Sequence, residues 1–485
     1  MKKLFALAVS TLFILAGCAT EPEFGEVSSA IKDSQEMQTD AEGQEELPEA
    51  KDNQDVVSES ESSVTDNQEE QPSQELVTFD LAQELVDDSL CKLQEQSWGS
   101  RNYSPYLAAS FPASKGITVD VIGSINIKVV FLEWEDLSGN QADYDFHVDL
   151  LEKAKDFYWV MSEGKLRLDY SYETSWNRVP GSYVDSYIPD DKSGGDWQSL
   201  SYLQEKIDKF VAASDPFVDF GDADVIFFAF PTAKVVVDGG GLHTFNFGNA
   251  IARTDEGEVG NLFSSGSRVY DHADEVQGWA VFAHEFGHTL GMPDLRDWSQ
   301  GREPLGPNQY AMPIVNPMYG IDTMDNQDAG TQGISGWMKW LQGWLDDSQV
   351  ICIEAGSVEA EYYRLDDANI MKAENKMLVI KLSATEALIV ESKRWDERFD
   401  MPMPHPRDGI VVYRLDAKRG HAEGPLRLLT PRDINEFLDQ PNLWPDWRVL
   451  DVYLFEGDYV EMGGIRVTNV QSEREADTVL IEALG

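Results

Sequence analysis

Hydrophobic and polar residues follow two different patterns along the chain, and the pattern changes near residue 347. The first part contains buried-strand runs at 125–132 and 225–230, an alternating strand-like run at 165–172, and helical periodicity at 148–161 and 200–213. The second part contains short strand-like runs separated by turns: 377–382, 387–391, 409–415, 464–470 and 478–481. We therefore predict an α+β fold, with residues 117–346 as its main domain and residues 347–485 as an antiparallel, β-rich, sandwich-like domain.

The N-terminus has the pattern of an export signal. Two lysines precede an apolar run, residues 4–15, that is too short to span a bilayer and is typical of a signal-peptide core. The run ends in Leu-Ala-Gly-Cys at residues 15–18, which resembles a bacterial lipobox. The resemblance implies that residues 1–18 are a lipoprotein signal peptide and that Cys18 carries a lipid anchor. We expect a protein of the bacterial cell envelope outside the cytoplasm, anchored in the outer membrane or at the cell surface, or released from it.

Two further segments precede the main domain. Residues 19–75 are rich in Glu, Asp, Gln and Ser, so they can bury too little apolar area to offset the entropy that is lost on ordering. This composition predicts a disordered acidic tether. A structural Ca²⁺ site there is the alternative to a solvated spacer, although no EF-hand spacing occurs. Residues 76–116 begin with an amphipathic pattern and predict a helical pro-segment or N-terminal cap.

Charge and cysteine content narrow the class of protein. The chain has 87 acidic against 38 basic residues and a formal net charge of -49, which excludes nucleic acid as a partner. Beside Cys18, the chain has Cys91 and Cys352, which either pair outside the cytoplasm or remain separate buried thiols. A third hypothesis makes Cys91 a thiolate that caps a metal and keeps the protein latent.

The candidate chemistry lies in a predicted helix that contains His284, Glu285 and His288. The two histidines are four residues apart, so they share one helix face and can each give a nitrogen to one Zn²⁺. Glu285 lies beside that metal, where it can deprotonate a metal-activated water as general base. The same His-Glu-x-x-His spacing also occurs on ordinary helices, so it needs further support.

A third zinc ligand is expected shortly after the helix. Gly291 can adopt the left-handed conformation that ends a helix and turns the chain back, which makes Asp294 the natural third ligand. Asp297 and Glu303 are alternatives. Tyr310 and Tyr319 could donate to an oxyanion or simply pack. The other histidines, His421 among them, have no motif context.

Three segments together resemble the immune inhibitor A family of secreted bacterial zinc metallopeptidases, which is metzincin-like. They are HEFGHTLGMPDL at 284–295, DTMD at 322–325 and GISGWMKWLQGWL at 333–345, and Glu391 and residues 408–413 fit the family's β-rich continuation. The resemblance implies a two-lobed zinc peptidase domain, an Asp where most metzincins have a third His, and Met324 as an apolar floor beneath the metal. A plain core methionine is the alternative for Met324.

The sequence therefore predicts a secreted, lipid-anchored zinc endopeptidase that hydrolyses peptide bonds of protein or peptide substrates. Its one catalytic Zn²⁺ would be held by His284, His288 and Asp294, with Glu285 as general base. A surface-displayed binding or adhesion protein that keeps the fold without turnover is the alternative, and a purely structural lipoprotein is a third. The complete His-Glu-x-x-His favours the enzyme.

Overall fold

A computed structural model describes most of the second of the two units into which the chain divides, Met1–Phe79 and Asp80–Gly485. The described residues are 79, 81, 88–94, 108–112, 119–183, 200–231, 245–246, 250–265, 278–297, 317–318, 320–325, 333–400, 408–430 and 452–485. The predicted signal peptide and acidic tether lie outside them, as does most of the amphipathic segment that begins at residue 76. No helix in these ranges is long and apolar enough to cross a membrane.

The first part of the unit is a mixed α/β layer structure. Its strands are β1 (Gly123–Glu133), β2 (Leu166–Tyr172), β3 (Asn177–Arg178), β4 (Val225–Ala229), β5 (Phe245–Asn246), β6 (Ala252–Arg253), β7 (Glu258–Val259) and β8 (Leu262–Ser264). Its helices are α1 (Gln141–Met161), α2 (Leu200–Ser214) and α3 (Gly278–Thr289). The main sheet has the order β2-β1-β4-β8-β5, with β3 pairing β1, and β6 pairs β7 separately. All pairs of the main sheet are parallel except β5 with β8.

The strand and helix predictions for this part are confirmed, but α1 begins seven residues before the predicted start at residue 148. Its first two turns are polar, so hydrophobic periodicity did not reveal them. Asn140 caps the helix instead: its side-chain oxygen accepts from the N–H groups of Ala142 and Asp143, and the Asp143 carboxylate accepts from the N–H of Asn140 at 3.0 Å. This reciprocal pair satisfies N–H groups that a helix start otherwise leaves without partners.

The short helix α4 (Gly336–Leu341) ends the first part, and the second part contains two sheets. Its strands are β9 (Val350–Glu354), β10 (Glu361–Asp366), β11 (Met377–Lys381), β12 (Glu386–Lys393), β13 (Gly409–Asp416), β14 (Leu426–Leu429), β15 (Tyr459–Met462), β16 (Ile465–Ser472) and β17 (Ala476–Ala483). Single 3-10 turns lie at Asp88–Leu90, Asp347–Gln349 and Ala355–Ser357. One sheet has the order β14-β13-β12-β11-β9 and the other β10-β17-β16-β15. Four of these strands, β9, β10, β14 and β15, were not predicted, and β9 pairs β11 in parallel where an antiparallel domain was expected.

The sheet of β9 and β11–β14 is buried on both faces. Alternate residues such as Ile380 and Val390 face the four-stranded sheet in one hydrophobic core. Residues on the opposite face, such as Val379 and Ile389, belong to the largest core, which also contains the inner residues of α1, α3 and α4. The ranges 117–346 and 347–485 therefore share a core, and the division between them at residue 346 stays a prediction.

The segment before β1 is attached to this shared core. Cys91 forms a disulfide with Cys352 on β9, so the pairing alternative is the one the structure contains. The indole N–H of Trp337 donates to the carbonyl oxygen of Ala109 at 2.8 Å, and Phe111 packs edge-on against Trp337 and Trp340. A segment that was cleaved and released would have to break these contacts and the disulfide, so the structure favours an N-terminal cap over a removable pro-segment.

Replacing Cys91 and Cys352 together by Ala should lower the free energy of unfolding by about 2–5 kcal/mol, because the disulfide closes a loop of 261 residues in the unfolded chain. Urea unfolding with and without a reducing agent measures this. Reduction should destabilise the wild type and leave the double variant unchanged. A wild type that unfolds at the same urea concentration in both conditions contradicts the disulfide.

Candidate metal centre

Helix α3 is held by aromatic packing on the face opposite its histidines. Phe282 lies 5.3 Å from Phe227 of β4 and Phe286 lies 5.8 Å from Phe263 of β8, measured between ring centroids. The hydroxyl of Tyr158 on α1 donates to the carbonyl oxygen of Ala283. These contacts fix the rotation of α3 about its axis, so that His284 and His288 face away from the sheet and Glu285 lies at the side of that face.

Each imidazole of α3 is oriented by a backbone carbonyl group. The Nδ1 of His284 lies 2.8 Å from the carbonyl oxygen of Thr323, and the Nδ1 of His288 lies 2.9 Å from that of Met292. A carbonyl oxygen only accepts, so Nδ1 carries the proton in both rings. The Nε2 atoms are then the nitrogens that can bind a cation, and a carbonyl acceptor on the other nitrogen is the usual support of a metal-binding histidine.

Gly291 ends α3 as predicted. Its φ is +84°, which is the left-handed region that favours glycine. The N–H of Met292 donates to the carbonyl oxygen of Gly287 at 3.0 Å and the N–H of Gly291 donates to that of His288 at 2.9 Å. This is the Schellman pattern of a helix C-terminus. The turn also aims the carbonyl oxygen of Met292 at His288 and carries the following residues back past the helix.

The turn brings Asp294 to the two histidines. Its Oδ1 lies 3.2 Å from the Nε2 of His284 and 3.8 Å from the Nε2 of His288, and the three ligand atoms all lie within 4.8 Å of one another. Tetrahedral zinc with bonds of about 2.0–2.1 Å separates its ligand atoms by about 3.3 Å. Two imidazole nitrogens and one carboxylate oxygen, nearly or fully buried, therefore fit a catalytic zinc ion in number, type and spacing.

The alternative ligand Asp297 is engaged elsewhere. Its carboxylate forms a buried ion pair with Arg427, and Arg419 lies 3.7 Å from the same oxygen. A carboxylate held by two guanidinium groups is not available to a cation. The other alternative, Glu303, lies outside the described residues, as do Tyr310 and Tyr319. Asp294 is thus the acidic candidate that the described structure places at the histidines.

The electrostatics of the cluster match an anionic ligand between imidazoles. Burial lowers the pKa of His284, but the hydrogen bond and charge of Asp294 outweigh burial and raise it. Burial raises the pKa of Asp294, but the hydrogen bond from His284 and the nearby histidines hold it well below its usual range. An anionic Asp294 beside two imidazoles is the charge arrangement that a bound cation would require.

Glu285 has the environment of a proton acceptor. Burial raises the pKa of its carboxyl, and the charges of His284 and His288 oppose this shift. No hydrogen bond or ion pair joins this carboxylate to another described residue. A carboxylate without such a bond keeps its lone pairs for a proton from another molecule.

Met324 lies directly against α3. A Cβ atom added to Gly287 would stand 2.5 Å from the Sδ of Met324, so the missing side chain of this glycine makes room for the methionine. Met324 is fully buried, and its N–H donates to the carboxylate of Asp322 at 2.9 Å. The loop that contains Met324 also supplies Thr323, the acceptor for His284. Met324 thus packs against α3 at Gly287, between the two histidines, and its role as an apolar floor beneath a metal stays a prediction.

Sequence reasoning missed His421, which it left without a role. Its Nδ1 accepts the N–H of Asp294 at 3.0 Å, its Nε2 lies 3.5 Å from Oδ2 of Asp294, and its ring centroid lies 5.8 Å from that of His288. Asp294 and His421 are 127 positions apart, so no local spacing could have connected them.

The latency hypothesis for Cys91 is wrong in this structure, because a disulfide-bonded sulfur is not a thiolate that could cap a metal.

No protein-family model matches the chain, and no curated protein matches it.

Replacing Gly287 by Ala should lower the free energy of unfolding by about 1–3 kcal/mol, because the new methyl group overlaps the buried Met324. Helix propensity alone would give the opposite sign, since Ala stabilises a helix by about 1 kcal/mol relative to Gly. Gly356→Ala is the matched control, because a Cβ there meets no atom within 4 Å. A stabilised Gly287→Ala protein would show that Met324 does not pack here.

Replacing Asp294 by Asn should abolish tight zinc binding with little loss of fold, because the amide is a weaker ligand than the carboxylate. Asp297→Asn is the contrasting variant. It should keep zinc affinity and lose about 3–5 kcal/mol of stability, because it leaves the buried Arg427 without its counter-charge. Zinc titration against a chromophoric chelator and urea unfolding separate the two. The reverse pattern would make Asp297 the ligand.

Proposed function

We propose that the chain is a zinc-dependent endopeptidase of the immune inhibitor A type, acting on protein or peptide substrates. The observation that carries the proposal is the convergence of the Nε2 atoms of His284 and His288 and the Oδ1 atom of Asp294, all within 4.8 Å of one another. Three protein ligands are the number that catalytic zinc sites use, with the remaining position left for water or substrate.

The orientation of the rings supports this use of the cluster. Histidines that merely fill a core have no need for both Nε2 atoms to face one carboxylate oxygen while both Nδ1 atoms donate to carbonyl groups. The donor set of nitrogens and one oxygen suits Zn²⁺ better than the all-oxygen sets of Ca²⁺ and Mg²⁺. When bound, Zn²⁺ supplies a Lewis acid that acidifies water and withdraws electrons from a carbonyl group.

Glu285 supplies the proton transfers. Its carboxylate takes a proton from the water whose oxygen attacks the scissile carbonyl carbon. As the C–N bond breaks, the same carboxyl group gives that proton to the departing amine nitrogen. Position and burial support this role: Glu285 follows His284 directly on α3, and burial raises the pKa of its carboxyl.

The proposed location is the bacterial cell envelope, with the lipid of Cys18 as anchor and residues 19–75 as an acidic tether. The supports are the apolar run, the lipobox-like residues and the acidic composition of the segment. A disulfide between Cys91 and Cys352 agrees with an oxidising compartment outside the cytoplasm.

The decisive experiment is the Glu285→Ala substitution. The variant should bind one zinc ion per chain like the wild type and cleave casein about 10²–10⁴ times more slowly, because only the proton acceptor is lost. Zinc content by atomic emission and casein cleavage with and without a chelator measure both properties. A purified variant that cleaves casein at the wild-type rate would refute the mechanism. A zinc-bound wild type without chelator-sensitive proteolysis would favour the binding or adhesion protein.

A further inference from the structure

The third ligand is held from outside by a loop of the β-rich part. Residues 420–424, between β13 and β14, run alongside residues 294–297. The N–H of Ala422 donates to the carbonyl oxygen of Asp294 at 2.9 Å, and the N–H of Gly424 donates to that of Arg296 at 2.9 Å. The N–H of Asp294 in turn donates to the Nδ1 of His421. Both the backbone N–H and the backbone carbonyl oxygen of Asp294 are therefore hydrogen-bonded to this loop.

The hydrogen bond to the Asp294 amide determines how the His421 ring is protonated. A backbone N–H only donates, so Nδ1 of His421 is an acceptor and carries no proton. In the neutral imidazole the proton is then on Nε2, which lies 3.5 Å from Oδ2 of Asp294. This is the opposite assignment to His284 and His288, whose Nδ1 atoms donate to carbonyl groups. A protonated Nε2 is not a metal ligand, and at 3.5 Å its N–H gives Oδ2 an electrostatic contact that is longer than an ordinary hydrogen bond.

We propose that His421 is a positioning residue for the zinc site: through the Asp294 amide and Oδ2, it directs Oδ1 of that carboxylate toward His284 and His288. The two carboxylate oxygens then have separate partners, Oδ2 with His421 and Oδ1 with the two α3 imidazoles. His421 is buried, so water does not replace its ring in this role. The inference rests on the proposed function, because it concerns the ligand of that same site.

The test compares three replacements of His421 in the full chain. Ala removes both contacts, Asn can keep an acceptor near the Nδ1 position, and Gln can keep a donor near the Nε2 position. The zinc affinity of the Ala variant, from competition with a chromophoric chelator, should fall 10–100-fold, as is usual when a group that supports a metal ligand is lost. The Gln variant should recover most of that loss, and the Asn variant should recover less.

His147 provides the matched control. It is also fully buried, its Nε2 donates to the carbonyl oxygen of Phe230 at 2.8 Å, and burial lowers its pKa to about 4, as it does for His421. His147→Gln should therefore alter stability without changing zinc affinity. The visible absorption bands of the Co²⁺-loaded protein should shift in His421→Ala and stay unchanged in His147→Gln, because only the first alters the orientation of a metal ligand.

The outcomes separate this inference from the proposed function. A wild type that binds no zinc overturns the function and the inference together. A wild type that binds zinc, with His421→Ala equally tight or with Gln and Ala equally weakened, overturns the inference alone. Thermal unfolding of the metal-free proteins shows whether each variant folds, and if the Ala variant does not, the difference between Gln and Asn decides the question.

Discussion

The carbonyl oxygens of Thr323 and Met292 determine which nitrogen of each α3 imidazole can bind a cation. Each accepts a hydrogen bond from the Nδ1–H of one ring and leaves Nε2 facing Asp294. Neither carbonyl belongs to α3 itself. Met292 reaches its place because Gly291 adopts a positive φ, and Thr323 because the adjacent Met324 packs against Gly287. Two glycines, one for its conformation and one for its missing side chain, therefore help to orient the histidines of the candidate metal centre.

Burial of a carboxylate between these rings is costly unless its oxygens and its backbone are satisfied. The strand-like segment of Asp294 lies between two loops. On one side the N–H of Leu295 donates to the carbonyl oxygen of Met324 at 3.0 Å, and on the other the loop that contains His421 accepts from and donates to Asp294. Since one loop comes from each side of residue 346, the site depends on both parts of the chain, in agreement with the core that they share.

Local sequence patterns predicted what depends on local physics. Hydrophobic periodicity predicted eight of the seventeen strands in the described residues, mainly the longer ones, and the first two helices. The spacing of His284, Glu285 and His288 predicted the helix face with the candidate chemistry. Gly291 predicted the turn that ends α3. The remaining features depend on contacts between distant residues: the Cys91–Cys352 disulfide spans 261 positions, and His421 lies 127 positions from Asp294. The turn at Gly291 favoured Asp294 from sequence, but the ion pair that engages Asp297 was inaccessible, because it depends on Arg427 in β14.

A chain of buried hydrogen bonds connects the β-rich part to His284. Tyr413 of β13 donates to Glu391 of β12, whose carboxylate also accepts the N–H of Gly336 at the start of α4 at 2.9 Å. The preceding N–H, that of Ser335, donates to Asp322 at 2.8 Å, and the other oxygen of Asp322 accepts the N–H of Met324. Carboxylates that accept backbone N–H groups in a dry interior hold those groups firmly, because a displaced N–H would have no water to replace its partner. The position of the Thr323 carbonyl, and with it the orientation of His284, is therefore determined by the sheet that contains β12 and β13 as much as by α3.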